Sequence, residues 1–173
     1  VGTEIAWSHC DEYKLPRFVV INKMNRDNAN FAKALESART LSSTTRLIPV
    51  QLPWGEKAEF NGVLDLLTMK AYAGDGKTSQ PIPAEFSDEV DEARMQLIEA
   101  AAEGEDALLE KYLNGDELTA EEITRGLTEV VQSGAYAPVF VSAGSAQTGL
   151  APLLDAMIDL LPSTLQAPGA VAQ

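Results

Sequence analysis

Phe18-Val19-Val20-Ile21-Asn22-Lys23-Met24-Asn25-Arg26 is an apolar run that stops abruptly at an amide and a lysine. Four consecutive apolar residues, mostly β-branched, predict a strand covered on both faces, as in a parallel sheet flanked by helices. Sheets of that kind bind ligands beyond the carboxyl ends of their strands. Asn22, Lys23 and Asn25 fall at that place. A helix is expected over 28–40, with Phe31, Leu35 and Ala38 on one stripe. By spacing alone the stretch is equally an ordinary strand-to-helix turn.

Composition narrows the surroundings of this stretch. A chain of 173 residues can bury a sizeable core, as one domain or as one with an inserted subdomain. Its apolar fraction of 45% is that of a globular protein, and its longest apolar runs span only a few residues. Neither a membrane span nor a signal peptide is expected. Cys10 is the only cysteine, which excludes an intrachain disulfide and points to a reducing, cytoplasmic setting. His9 beside it lacks further ligands at metal spacing, so no metal site is expected.

The net charge of -13 argues against a direct grip on nucleic-acid phosphates, which needs clustered Lys and Arg. Most of the acidic excess lies between Glu85 and Glu129, on predicted helices. Such a face is ordinarily a solvated surface; the other reading is a docking face for a basic patch on a partner.

In chain order, a helix is expected from Thr3, its N-cap, to Tyr13, with Ala6, Cys10 and Tyr13 inward. A chain that begins at Val1 and opens directly into a helix reads as part of something longer. After the Phe18 strand and its helix, Arg46 to Leu52 reads as a strand and Pro53-Trp54-Gly55-Glu56 as a turn. Short strands at 60–65 and 70–73 follow, separated by one turn at 66–69. Gly76-Lys77-Thr78 has the ending of a phosphate-binding P-loop, but Ser79-Gln80-Pro81-Ile82-Pro83 cannot open the helix such a loop requires. It is expected to be a hairpin tip. Ser87 is expected to cap a helix to about Glu103, a second helix to run over 105–113, and Thr119 with Glu122 to form the capping box of a third. The strand-loop-helix pattern then returns, with a buried strand over 137–141, the loop Ser142-Ala143-Gly144-Ser145-Ala146 and a helix over 149–161.

Asn22-Lys23-Met24-Asn25 resembles the Asn-Lys-x-Asp motif with which P-loop GTPases recognise guanine. Its flanks, Pro16-Arg17 before the strand and Arg26-Asp27-Asn28-Ala29-Asn30-Phe31 after it, are similar to bacterial elongation factor G. So are Ile48 to Pro53, Phe60 to Leu66 and Met69 to Tyr72, which resemble the start of the subdomain inserted in that family's GTPase domain. Pro138-Val139 through Gly149, Pro152 to Ala156 and Leu161-Pro162-Ser163 resemble its end.

The resemblance implies an α/β fold, the carboxyl half of a P-loop GTPase-type parallel sheet with an inserted α+β subdomain. It divides the chain into a first GTPase-domain segment (1–45), the insert (46–134), the last strand and helix (135–163) and a linker or disordered tail (164–173). The strands at 18–21 and 137–141 should be parallel neighbours joined through the insert, with one sheet edge unpaired. An unpaired edge invites self-association.

The resemblance also implies the site. Asn22 would brace the loop and approach the base edge, and the Lys23 stem would pack over the base plane. Backbone N–H groups of Ser142, Ala143 and Gly144 would meet the guanine carbonyl, although Ser145-Ala146 copies the family's dipeptide in a second register. Asn25 stands where the family has Asp. An amide turns a donor toward the donors of guanine, and an unmet buried donor costs about 1–3 kcal/mol. Xanthine, with a carbonyl at C2, would suit Asn25 better; Asp27, two residues on, could reach in only along a different loop path.

For an intact parent protein the resemblance implies GTP or GDP with Mg²⁺ as cofactor, or a xanthosine nucleotide because of Asn25. The phosphate-binding loop, switch threonine and Asp-x-x-Gly of phosphoryl transfer are expected in a missing amino half, so hydrolysis by this chain alone is not expected. The family moves transfer and messenger RNA through the ribosome. The partners implied are therefore the amino half, the ribosome and, through the acidic helices, the ribosomal stalk. A second reading is a non-enzymatic interaction module that docks on the stalk or another protein without nucleotide.

Overall fold

Two sheets organise residues 2–162, the part described by the computed structural model; the tail expected over 164–173 lies outside the described residues. The first sheet is parallel, in the order β1 (Val19–Ile21), β7 (Tyr136–Val141), β2 (Arg46–Pro49). Val19 lies opposite Val139 and Ile21 opposite Val141, while Arg46 lies opposite Tyr136 and Pro49 opposite Val139. The expected pairing of the two apolar strands is therefore present.

Their roles differ from expectation. All six residues of β7 are buried, as befits a central strand with both faces covered. β1 is an edge strand, half-buried at Val19 and Ile21, with Val20 42% exposed. No strand pairs with its outer side among the described residues. Phe18, just before it, stacks on Phe140 with ring centroids 4.7 Å apart.

The second sheet is antiparallel, in the order β3 (Gln51–Trp54), β4 (Gly62–Asp65), β5 (Lys70–Ala73), β6 (Thr78–Pro81). The run from Arg46 to Leu52, expected as one strand of the insert, divides at Val50. There the Val50 N–H donates to Val139 while its carbonyl accepts from Leu66, so the chain changes sheets within one residue. Arg46–Pro49 consequently belongs to the parallel sheet, although the 46–134 unit was expected to contain it. Fully buried Gln51 ties the junction together: its amide donates to Asp65 Oδ2 at 3.2 Å and accepts from the Val141 N–H at 3.4 Å. Asp65 Oδ1 in turn accepts from the N–H groups of Leu67 and Thr68 at 3.1 and 2.9 Å, closing the β4–β5 turn.

Gly76-Lys77-Thr78 lies on the β5–β6 hairpin and is followed by strand, so it forms no phosphate loop. Gly76 has φ +82°, and a Cβ there would fall 2.5 Å from Pro152 Cδ. This is where α6 (Leu150–Leu160) meets the hairpin, with the Gly149 N–H donating to Gly74 at 3.0 Å.

The helices keep their expected places with local corrections. In α1 (Gly2–Glu12), Thr3 lies inside the helix, and Trp7 is the buried residue while Ala6 and Tyr13 are exposed. The indole has the larger apolar surface to hide, and the Arg17 guanidinium covers its ring at 4.8 Å. In α2 (Phe31–Arg39), Phe31 and Leu35 are buried, and the helix starts at Phe31 because Asn30 caps it. Ser87 opens α3 (Ser87–Ala102) without capping it, since a 3-10 turn at Ala84–Phe86 leads in and its hydroxyl donates back to Ala84. α4 (Asp106–Leu113) follows, and α5 (Ala120–Gln132) begins with the expected capping box of Thr119 and Glu122. One hydrophobic core runs through both sheets and helices α1, α2, α3, α5 and α6, from Leu35 and Phe140 to Leu64, Leu97 and Leu127.

Candidate functional site

β1 and β7 end side by side, because the Ser142 N–H donates to the Ile21 carbonyl at 3.1 Å. The loops that leave them meet over Asn22. Its side-chain oxygen accepts from the Lys23 N–H at 2.7 Å, the Gly144 N–H at 2.9 Å and the Ser142 hydroxyl at 3.2 Å. The amide nitrogen takes no part in these bonds. Lys23 is exposed and sits in the left-handed region at φ 64°, which turns the chain sharply off the strand end.

Met24 is buried, and both its backbone groups are engaged. Its N–H donates to Ser142 at 3.2 Å and its carbonyl accepts from the Lys57 N–H at 2.8 Å. Asn25 is half-buried, and its side-chain oxygen is buried without a hydrogen-bond partner. Such an atom costs free energy until a donor reaches it. Asp27 is exposed, beyond the turn. Next to this loop a cleft of about 350 Å³ is lined by Asn22, Lys23, Met24, Asn28, Asn30 and Lys33.

The loop after β7 is held from within. The Ser142 N–H is taken by Ile21, the Ala143 N–H by Thr148 at 3.1 Å and the Gly144 N–H by Asn22. Ser145 is exposed, and its N–H makes no hydrogen bond within the described residues. Ser142 to Gly144 is thus the segment in contact with Asn22, while Ser145-Ala146 faces outward on a 3-10 turn.

Two groups at this site were missed from sequence. Glu56 and Lys57, in the turn after β3, reach the loop and the start of α2. The turn itself was legible from Pro53-Trp54-Gly55-Glu56, but its target 25 residues away was not.

The side chains with displaced protonation lie elsewhere. Glu103 is held below its ordinary carboxylate range by the Arg46 guanidinium, helped by the Tyr136 hydroxyl. Burial, with the Glu103 hydrogen bond, pushes the Tyr136 phenol up to about 12. Among the described residues no group of three or more His, Cys, Asp or Glu side chains could hold a metal ion. No helix among them is long and apolar enough to cross a membrane.

A parallel sheet whose paired strand ends carry the Asn22 and Ser142 loops, interrupted by an antiparallel sheet and three helices, is a GTPase-type α/β fold with an inserted subdomain. The chain belongs to the family described as the elongation factor Tu GTP binding domain, which matches residues 1–163. Guanine-nucleotide binding is the property of that family. Among similar solved structures is a crystal structure of a protein from Thermus thermophilus, 33% identical, with a TM-score of 0.83. The match covers 94% of this chain and 24% of that one, so the chain spans about a quarter of that protein's length.

Proposed function

We propose that this chain is the base-recognition part, with the inserted subdomain, of an elongation factor G-like ribosomal translocation GTPase. The observation that carries the reading is the set of three hydrogen bonds accepted by Asn22 Oδ1, which joins the loops after β1 and β7 into one site. Held this way, the Asn22 amide nitrogen is free to donate to a base edge. The Lys23 stem lies beside it, and the buried Asn25 oxygen awaits a donor.

In this reading a purine base would meet these groups, with Asn22 at its edge, Lys23 over its plane and Asn25, which does not line the cleft, turning to its Watson–Crick side. The backbone donor facing outward is the Ser145 N–H; the Gly144 N–H would serve a base carbonyl only by leaving Asn22. Asn25 accepts on one atom only, where a carboxylate accepts on two, so the pocket should favour xanthosine over guanosine nucleotides. The bound nucleotide would bring phosphates and Mg²⁺, and the groups that hold them are assigned to further polypeptide. In this reading the residues described here orient the base, and hydrolysis requires that addition.

The ribosome is the partner this family membership suggests, and the acidic helices α3 to α5 are the face assigned to the stalk. The interaction-module reading has its own support in the Ser142, Ala143 and Gly144 N–H groups, all satisfied without nucleotide. Calorimetric titration of the chain, and of one extended by an amino half of the GTPase domain, separates the two. Binding in the extended protein with xanthosine diphosphate preferred supports base recognition. No binding of either diphosphate to either protein leaves the docking module.

A further inference from the structure

We infer that the turn after β3 is the positioning element of the Asn22–Asn25 loop, with Glu56 as its positioning side chain; this rests on the base-recognition reading above. The Met24 backbone is clamped from two directions, by Ser142 from the loop after β7 and by the Lys57 N–H from the antiparallel sheet. Beside Lys57, Glu56 Oε1 accepts from the Phe31 N–H at 2.6 Å. That N–H belongs to the first residue of α2 and has no partner within its own helix. A carboxylate there also meets the positive end of the helix.

The start of α2 is therefore capped twice, locally by Asn30, which takes the Lys33 N–H at 2.8 Å, and remotely by Glu56. The loop 22–30 runs between a β1 end fixed by Asn22 and a helix start fixed by Glu56. Two consecutive residues of the insert, Glu56 and Lys57, hold its middle and its far end.

A positioning element has to be stiff, and this turn is. Gly55 has φ +79°, and a Cβ there would fall 2.1 Å from the Glu59 carbonyl oxygen, so only glycine fits. The Asn61 N–H closes the turn on Trp54 at 2.9 Å, the Phe60 N–H bonds Lys57 at 3.2 Å, and Phe60 is buried. Lys57 itself holds φ 58°, a conformation a lysine adopts only when its surroundings fix it. The turn thus carries the geometry of the antiparallel sheet to the loop that faces the base.

The test is amide hydrogen exchange on the full chain with Glu56→Ala and Glu56→Gln. In Glu56→Ala, exchange should rise about tenfold at Phe31 and at Lys23 to Arg26, while β7 and α5 keep their protection, as expected of a local opening. Glu56→Gln retains an oxygen that accepts from Phe31 and should restore most of the protection. If Glu56→Ala does not fold, Glu56→Asp, one methylene shorter, should show the same pattern at smaller amplitude. Faster exchange at Phe31 alone would overturn the inference, as would a uniform rise that includes α5. No nucleotide enters this readout, so a chain that binds neither diphosphate tells against base recognition and leaves the exchange result to stand by itself.

Discussion

The side-chain oxygen of Asn22 accepts a hydrogen bond from the Gly144 N–H at 2.9 Å, joining two loops 122 residues apart in sequence. With the Ser142 hydroxyl and the Lys23 N–H on the same atom, one amide oxygen sets the geometry at the ends of both β1 and β7. Asn22→Ala removes all three bonds at once. The Lys23 and Gly144 donors are exposed and can turn to water, so the expected loss is about 0.5–1.5 kcal/mol, that of an ordinary hydrogen bond. A lower urea midpoint with an unchanged slope is the expected signature.

Replacing Asn25 with Asp supplies a second acceptor on the Watson–Crick side of a bound base. In a protein extended to bind nucleotide, Asn25→Asp should shift preference from xanthosine to guanosine diphosphate by one to two decades, or about 1–3 kcal/mol. Competition titration of the two diphosphates reads this ratio directly. An unchanged ratio would mean that the base does not meet residue 25.

Gln51 is the polar group on which the two sheets join, fully buried between Asp65 and the Val141 N–H. Gln51→Leu keeps the volume and removes both bonds. The Val141 N–H would lose this acceptor and Asp65 Oδ2 its donor. A stability loss of about 2–4 kcal/mol is expected, read as a lower unfolding midpoint.

Two groups at the start of β7 give the chain a pH profile. Glu103 has a folded pKa below its ordinary value because Arg46 binds its carboxylate. Its contribution is present above the unfolded carboxylate pKa and is lost as pH falls through the folded one. Tyr136 is raised from 10.0 to about 12 by burial and by the Glu103 bond. Its contribution is complete below pH 10.0 and disappears as pH rises toward about 12, because the unfolded phenol ionises first. Tyr136→Phe should flatten the alkaline limb of a stability-against-pH curve and leave most of the acid limb in place.

Local grammar was legible in the sequence wherever neighbours in the chain decide the structure. The apolar runs at 18–21 and 137–141 are parallel partners, Thr119 and Glu122 form their capping box, and Gly76-Lys77-Thr78 is a hairpin. What eluded reading depends on residues far away. The apolar run of β1 is as β-branched as that of β7, so nothing local says which is central and which is the edge. The division at Val50 follows from Val139 and Leu66, each donating or accepting across the fold. At the site, Asn22 with Ser142 and Gly144 could be paired by resemblance, whereas Glu56 reaching Phe31 leaves no mark in spacing.

Amide chemical shifts during titration with xanthosine and guanosine diphosphates address the central proposal most directly, because they locate even weak binding on the chain. Lys23, Asn25, Gly144 and Ser145 should move together, at lower concentrations of the xanthosine nucleotide than of the guanosine one. Shifts confined to other surfaces, or none at millimolar concentrations of either nucleotide in the extended protein, would contradict that proposal.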